Sequence, residues 1–184
     1  MKQYISRRVE IDLGHRVMDE RFKCYSIHGH RASVHMTFEF SNQSEIGYCI
    51  DFKEIKRVGA QWIDDKFDHG FAANPKDKFV IEACQKTNSK YYLMSINGKD
   101  NYCNPTAENI SREIFLALEI LFEDYPGLKI HRLRFYETPN CWIDTEVSSI
   151  LPAERENFLS VRGEEVRQYA KEKGRLEYDI RKVK

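Results

Sequence analysis

Between Gln3 and Leu13 apolar and polar residues alternate, so that Val9, Ile11 and Leu13 fall on one face. This is the period of a half-buried strand, and carried past Gly14 it places His15 on the same face. Residues 16–27 lose the period and read as a loop. Alternation returns from His28 to Phe40: Ala32, Val34, Met36, Phe38 and Phe40 face one way, and Ser33, His35, Thr37 and Glu39 the other. The stretch "SNQSEIG" predicts a turn, followed by a short strand over Tyr48–Phe52. Asp51 and Glu54 have the spacing of a capping box, and Ile55, Val58, Trp62 and Ile63 then recur at helical intervals as far as Phe67.

The next stretch, "DHGFAANPKD", predicts a loop punctuated by Gly70 and Pro75. Residues 78–86 read as a short helix, "KYYLMSI" as a strand and "NGKD" as a turn. The clearest helical pattern is "NPTAENISREIFLALEILFEDYPG". Pro105 suits its first turn, Ile110, Ile114, Ala117, Leu118 and Leu121 form its apolar face, and Pro126-Gly127 ends it. "KIHRLRFYE" follows as a strand with Leu133, Phe135 and Glu137 on one face, and a further strand is expected after it. Strands joined by turns, with amphipathic helices between them, predict an antiparallel sheet with helices packed on one face, an α+β domain over residues 1–150. Residues 151–184 are denser in charge and carry only a thin apolar stripe. They read as a helical C-terminal extension packed on the surface or on a neighbouring subunit, or as a solvated tail.

Composition narrows the function classes. The 184 residues include 29 basic and 29 acidic side chains, without the basic excess that nucleic-acid binding usually needs. No apolar run reaches the ~18 residues of a membrane span, and the N-terminus lacks the apolar core of a secretory signal. A cytoplasmic location is expected. Five cysteines, Cys24, Cys49, Cys84, Cys103 and Cys141, are odd in number and widely spaced. That argues against a disulfide framework and an all-cysteine zinc site.

The candidate chemistry begins with "HRVMDERFKCYSIHGH", residues 15–30. On a strand the two-residue spacing puts His28 and His30 on one face, and His15, at the end of the preceding strand, is the natural third ligand. Zinc held by three protein ligands keeps a fourth position for water or substrate. His35 falls on the other face, and His131 sits among surface charges. The alternative for "HGH" is a pair of histidines satisfied by ordinary hydrogen bonds. For Cys24 three roles stay open: a base or nucleophile beside the metal, a fourth ligand, or an inert thiol. Asp68 adjoins His69 and would orient its imidazole for proton transfer. Glu137 shares a face with Leu133 and Phe135. A carboxylate there either meets donors, such as the adjacent amino group and ring N–H of a pterin or guanine, or sits in water at the strand end.

Taken in order, His15, "CYSIHGH", "CIDFKEIK", "FDHG", "NPTAENIS" and "RFYETPN" resemble the 6-pyruvoyltetrahydropterin synthase / 6-carboxytetrahydropterin synthase family, over about residues 3–145. The resemblance implies the tunnelling fold, a four-stranded antiparallel sheet with two main helices on one face, assembled as trimers stacked into hexamers with active sites between subunits. It also implies Zn²⁺ on His15, His28 and His30, Cys24 as the catalytic thiol with Asp68 and His69 as proton-relay partners, and a pterin ring held by Glu137, Thr106 and the backbone of Ala107. Glu108 would be a helix-start residue. The spacing C-x3-H-G-H is similar to that of the 6-carboxytetrahydropterin synthases of the 7-deazaguanine (queuosine) pathway. These convert 7,8-dihydroneopterin triphosphate to 6-carboxy-5,6,7,8-tetrahydropterin with release of acetaldehyde and triphosphate. The 6-pyruvoyl activity and a non-catalytic pterin- or purine-binding assembly protein are the alternatives. Arg21 and Lys23 are candidates for the triphosphate, the alternative for each being a solvated loop charge. The insertion-like stretch 76–104, "FAANPKD", "CWIDTE" and the extension from 151 depart from the compact family pattern.

Overall fold

The computed structural model describes residues 2–95 and 103–174; the expected "NGKD" turn lies outside them. In chain order the strands are β1 (Gln3–His15), β2 (His28–Phe40), β3 (Gly70–Ala73), β4 (Lys90–Leu93), β5 (Leu128–Thr138) and β6 (Cys141–Glu146). The helices are α1 (Phe52–Ile55), α2 (Gln61–Phe67), α3 (Lys78–Lys86), α4 (Ala107–Leu121), α5 (Pro152–Phe158) and α6 (Glu164–Lys173). A π-helical turn, Lys56–Ala60, joins α1 to α2, and a second, Leu159–Gly163, joins α5 to α6.

β1 and β2 form a long antiparallel pair in continuous register from Gln3 opposite Phe40 to His15 opposite His28. Ile11, Leu13, Ala32, Val34, Met36 and Phe38 are all buried. A slip of one residue would turn this whole set to the other face, so the register is strongly specified. β5 pairs antiparallel with β2, and β6 with β5. On the other side β3 runs parallel to β1 and β4 parallel to β3.

The sheet is therefore six-stranded and mixed, in the order β4-β3-β1-β2-β5-β6, which corrects the expected four-stranded antiparallel sheet. β3 is too short to display a period and lies inside the stretch whose Gly70 and Pro75 read as loop. Its parallel pairing to β4 is made possible by the crossover through α3. The predicted strand Tyr48–Phe52 is also absent. Instead the Asp51 carboxylate accepts from Lys53 N–H at 2.7 Å and starts α1. Glu54 does not complete a capping box. It is buried and holds Arg57 and the Tyr125 hydroxyl.

Helices α1, α2 and α4 cover one face of the sheet with Ile55, Trp62, Ile63, Phe67, Ile114, Phe115 and Leu118. Gly59 sits where they meet: a Cβ there would lie 3.1 Å from both Leu118 and Phe122. The opposite face is covered at the β3–β4 end by α3, whose Val80 and Cys84 pack with Ala73, Phe71, Tyr91 and Leu93. α5 and α6 lie on the helical layer and send Phe158 and Val166 into the main core. Among the described residues no helix is long and apolar enough to cross a membrane.

Candidate metal centre

The paired ends of β1 and β2 bring three histidines together. Because His15 stands opposite His28 and Leu13 opposite His30, all three imidazoles project from the helical face at one end of the sheet. Their ring centroids are 4.5, 5.2 and 5.0 Å apart, and one ligand nitrogen from each lies within 4.8 Å of the other two. The His15 Nδ1–H donates to the carbonyl of Pro105 at 2.7 Å, and the His28 Nδ1–H to that of Ser26 at 2.7 Å. Both bonds leave Nε2 as the lone-pair nitrogen. The Nε2 atoms of His15 and His30 are buried without a hydrogen-bond partner. Burial also lowers the pKa of His15, although the Pro105 hydrogen bond and Glu137 work against it; a neutral imidazole is the ligating form. The donor set thus fits a metal ion that prefers imidazole nitrogen.

Glu137 closes this end of the sheet. Its Oε1 lies 3.5 Å from His15 Nε2 and 3.9 Å from His30 Nε2. A small crevice beside it is lined by Leu13, His15, His30, Ala32, Ile110 and Phe135. Thr106 caps α4 by accepting from Asn109 N–H at 3.3 Å. Pro105 therefore stands before the cap rather than in the first turn, and Ala107 opens the helix. The same Pro105 supplies the carbonyl that orients His15, which ties the start of α4 to the histidines.

Cys24 lies in a short 3-10 turn, Lys23–Tyr25, in the loop between β1 and β2, and is half-buried. It is not in the metal-competent group formed by the histidines. Asp68 and His69 are elsewhere. The Asp68 carboxylate accepts from Asp12 N–H at 2.7 Å, and His69 N–H donates to Asp12 O at 2.8 Å. His69 adopts the left-handed region at φ 50°. Its Nδ1–H donates to Asp68 at 2.7 Å while the imidazole stays exposed. The side chain of Asp12 alternates with Leu13 and His15 and so lies on the opposite face of β1, within 4.8 Å of the Asp68 and His69 polar atoms. Within one chain the Asp68–His69 pair thus sits on the other side of the sheet from the three histidines.

His35 is on that opposite face too, 3.1 Å from Ser33 Oγ and stacked on Tyr136. His131 contacts Tyr4 and Glu39 at the surface. Arg21 is engaged by both carboxylate oxygens of Asp19, so it is not a free cation. The residues that sequence reading missed are second partners: Pro105, Asp12, and the buried amides Asn74 and Asn104, which meet at 3.1 Å. A backbone carbonyl leaves no mark in a sequence, and neither asparagine has a periodic signal.

Comparison with known proteins settles the kinship. The chain matches the sequence profile described as 6-pyruvoyl tetrahydropterin synthase over residues 4–147. The chain belongs to that family. A relative from Rickettsia felis, named 6-carboxy-5,6,7,8-tetrahydropterin synthase, is 37% identical over 144 residues, which are 76% of this chain and 96% of the relative. Among solved structures, an uncharacterized protein from Wolinella succinogenes superposes with a TM-score of 0.62 at 19% identity, over 80% of this chain and 99% of the other. The 6-pyruvoyl tetrahydropterin synthase of Caenorhabditis elegans gives 0.55 at 18% identity, over 79% and 96%. These two show a shared fold. The family match ends at residue 147, so α5 and α6 lie beyond it.

Proposed function

We propose that the chain is a zinc-dependent 6-carboxytetrahydropterin synthase, converting 7,8-dihydroneopterin triphosphate to 6-carboxy-5,6,7,8-tetrahydropterin with release of acetaldehyde and triphosphate. The observation that carries the reading is the convergence of His15, His28 and His30 beside Glu137, with the His15 and His30 Nε2 atoms buried and unbonded. The name of the Rickettsia felis relative and the C-x3-H-G-H spacing favour the carboxy product over the pyruvoyl one.

His15, His28 and His30 would hold the zinc, whose Lewis acidity toward substrate hydroxyl oxygens raises the acidity of the neighbouring C–H groups. Glu137 would accept from the amino group and ring N–H of the pterin and fix its orientation. Thr106 and the backbone of Ala107, at the start of α4, would hold the ring from the other side. The Cys24 thiol and the His69 imidazole would exchange protons with the substrate side chain, with Asp68 orienting His69.

Since Asp68 and His69 lie across the sheet from the histidines, the reading takes them from a neighbouring subunit, in a hexamer of two trimers. The crevice beside Glu137 is far smaller than a bicyclic ring and would draw its remaining wall from the same neighbour. Subunit mixing tests this: Cys24→Ala and His69→Ala proteins, each inactive alone, recover turnover when allowed to exchange subunits. Failure of exchanged mixtures to recover it would refute the shared site.

The deciding assay supplies dihydroneopterin triphosphate to the purified protein, with its metal content measured in parallel. Acetaldehyde and 6-carboxytetrahydropterin are expected. A 6-pyruvoyl product without acetaldehyde establishes the second reading, and zinc-loaded protein with no turnover overturns both.

A further inference from the structure

The loop 16–27 leaves β1 directly after His15 and enters β2 directly before His28. None of its residues is buried, so it has no core of its own. Its shape must come from specific contacts, and several arrive from the segment 74–104, which departs from the compact family pattern.

Arg16 is the centre of them. Its Nε lies 3.3 Å from the carboxylate of Asp77, an ion pair without hydrogen-bond geometry; the Arg16 side chain is 15% exposed and that of Asp77 only 3%. The guanidinium carbon lies over the ring of Tyr25, 4.4 Å from its centroid, and 5.8 Å from the ring centroid of Phe79. Asp77 is itself fixed: it caps α3 through Val80 N–H, and its own N–H donates to Asn74 O at 2.9 Å. Asn74 donates to Asn104 Oδ1, and that same oxygen accepts from Met18 N–H at 3.0 Å in the loop. Asn74, Asp77 and Asn104 are thus one buried polar platform under the loop.

The connectivity gives this platform its meaning. Arg16 follows the metal-site histidine His15, and Tyr25 follows Cys24. The Arg16–Tyr25 cation–π contact, with Val17 N–H donating to Cys24 O at 2.8 Å, ties the neighbourhood of one to that of the other. A guanidinium paired with a buried carboxylate and packed over an aromatic ring is restrained by both contacts.

We propose that Arg16 and Asp77 are positioning residues that set the place of the Cys24 thiol relative to the metal-site histidines, with Asn74 and Asn104 as their support. This rests on the reading of Cys24 as the reacting thiol.

The test uses the zinc-loaded full chain with Asp77→Asn, Arg16→Ala, Arg16→Lys and Tyr25→Leu. Asn can still cap α3, and Tyr25 is 41% exposed, so Asp77→Asn and Tyr25→Leu are expected to fold even if Arg16→Ala does not. The readouts are kcat, KM, zinc per chain and the iodoacetamide alkylation rate of Cys24, resolved from the other cysteines by peptide mass mapping. In Asp77→Asn and Tyr25→Leu, kcat is expected to fall by roughly ten- to a hundredfold, the upper figure being what a misplacement near 1 Å can cost. KM and zinc content stay unchanged, and Cys24 alkylation shifts several-fold. Arg16→Lys restores less than half of what Arg16→Ala loses, because an ammonium keeps the charge but not the plane. Lower thermal stability with kcat and Cys24 alkylation unchanged would overturn the proposal. Turnover retained in Cys24→Ala overturns the thiol reading instead, and the alkylation rate still reports whether Arg16 and Asp77 hold the loop.

Discussion

At the scale of single residues, the histidine cluster depends on which nitrogen of each ring is left free. Pro105 and Ser26 take the Nδ1 protons of His15 and His28, so a metal finds Nε2 in both rings without a tautomer change. His28→Ala is accordingly expected to lose stoichiometric zinc, read by metal analysis after dialysis, with the fold retained in circular dichroism. Cys24→Ala should keep its zinc; loss of zinc in that variant would make the thiol a ligand. His69 is different in kind. Its hydrogen bond to the Asp68 carboxylate, with the attendant charge, raises its pKa above the ordinary 6.5. In Asp68 burial acts upward, but the bonds from Asp12 and His69 outweigh it and leave the carboxyl below its ordinary 3.8. The charged pair is therefore fully present between about pH 3.8 and about pH 6.5, weakens as the pH falls through the lowered Asp68 value, and loses its charge attraction as the pH rises through the raised His69 value. An NMR titration of the His69 ring should show its midpoint above 6.5 and a return toward 6.5 in Asp68→Asn. An unchanged midpoint would mean that the pair is not formed in solution.

At the scale of elements, the site is made by two strand ends and one helix start. Gly29 separates the two β2 histidines because a Cβ there would stand 3.0 Å from the carbonyl of Leu13 on the paired strand. The obstacle is backbone, so Gly29→Ala must part β1 from β2 where the ligands sit. Zinc affinity is expected to drop by roughly tenfold or more, the scale on which disturbed ligand orientation acts, measured by chelator competition. Glu113 on α4 makes a second link. It is fully buried and accepts from the Tyr92 hydroxyl at 2.9 Å and from Ser95 N–H and Oγ. This joins α4 to the end of β4. Glu113→Ala would leave those donors buried and unbonded, a loss of about 2–4 kcal/mol, to be read in denaturant midpoints.

At the scale of the whole molecule, α5 and α6 are built into the helical layer although the family match stops before them. Phe158 is fully buried in the main core. Arg162 lies over the Tyr92 ring and donates to Leu93 O, and Asn157 reaches Ser95 O. Phe158→Ala is expected to cost about 3–5 kcal/mol, visible as a lowered melting temperature, whereas a merely attached tail would leave the melting temperature unchanged.

How much of this was readable in the chain follows from the range of each interaction. Period-2 alternation placed His15, His28, His30 and Glu137 each on the apolar face of its own strand and His35 on the polar one, because strand geometry is local. The 3.6 period of α4 was visible for the same reason. β3 carried too few residues for a period, whereas "KYYLMSI" was readable as the strand β4; their parallel pairing depends on a crossover that sequence order does not reveal. The Pro105 carbonyl, the Asn74–Asn104 contact and the placing of Asp68–His69 across the sheet are likewise long-range. The sequence by itself determined which side chains are candidates for the chemistry and which face each takes along its own strand. Only the tertiary structure decided which faces meet, since strand pairing and helix docking join residues that the chain keeps far apart.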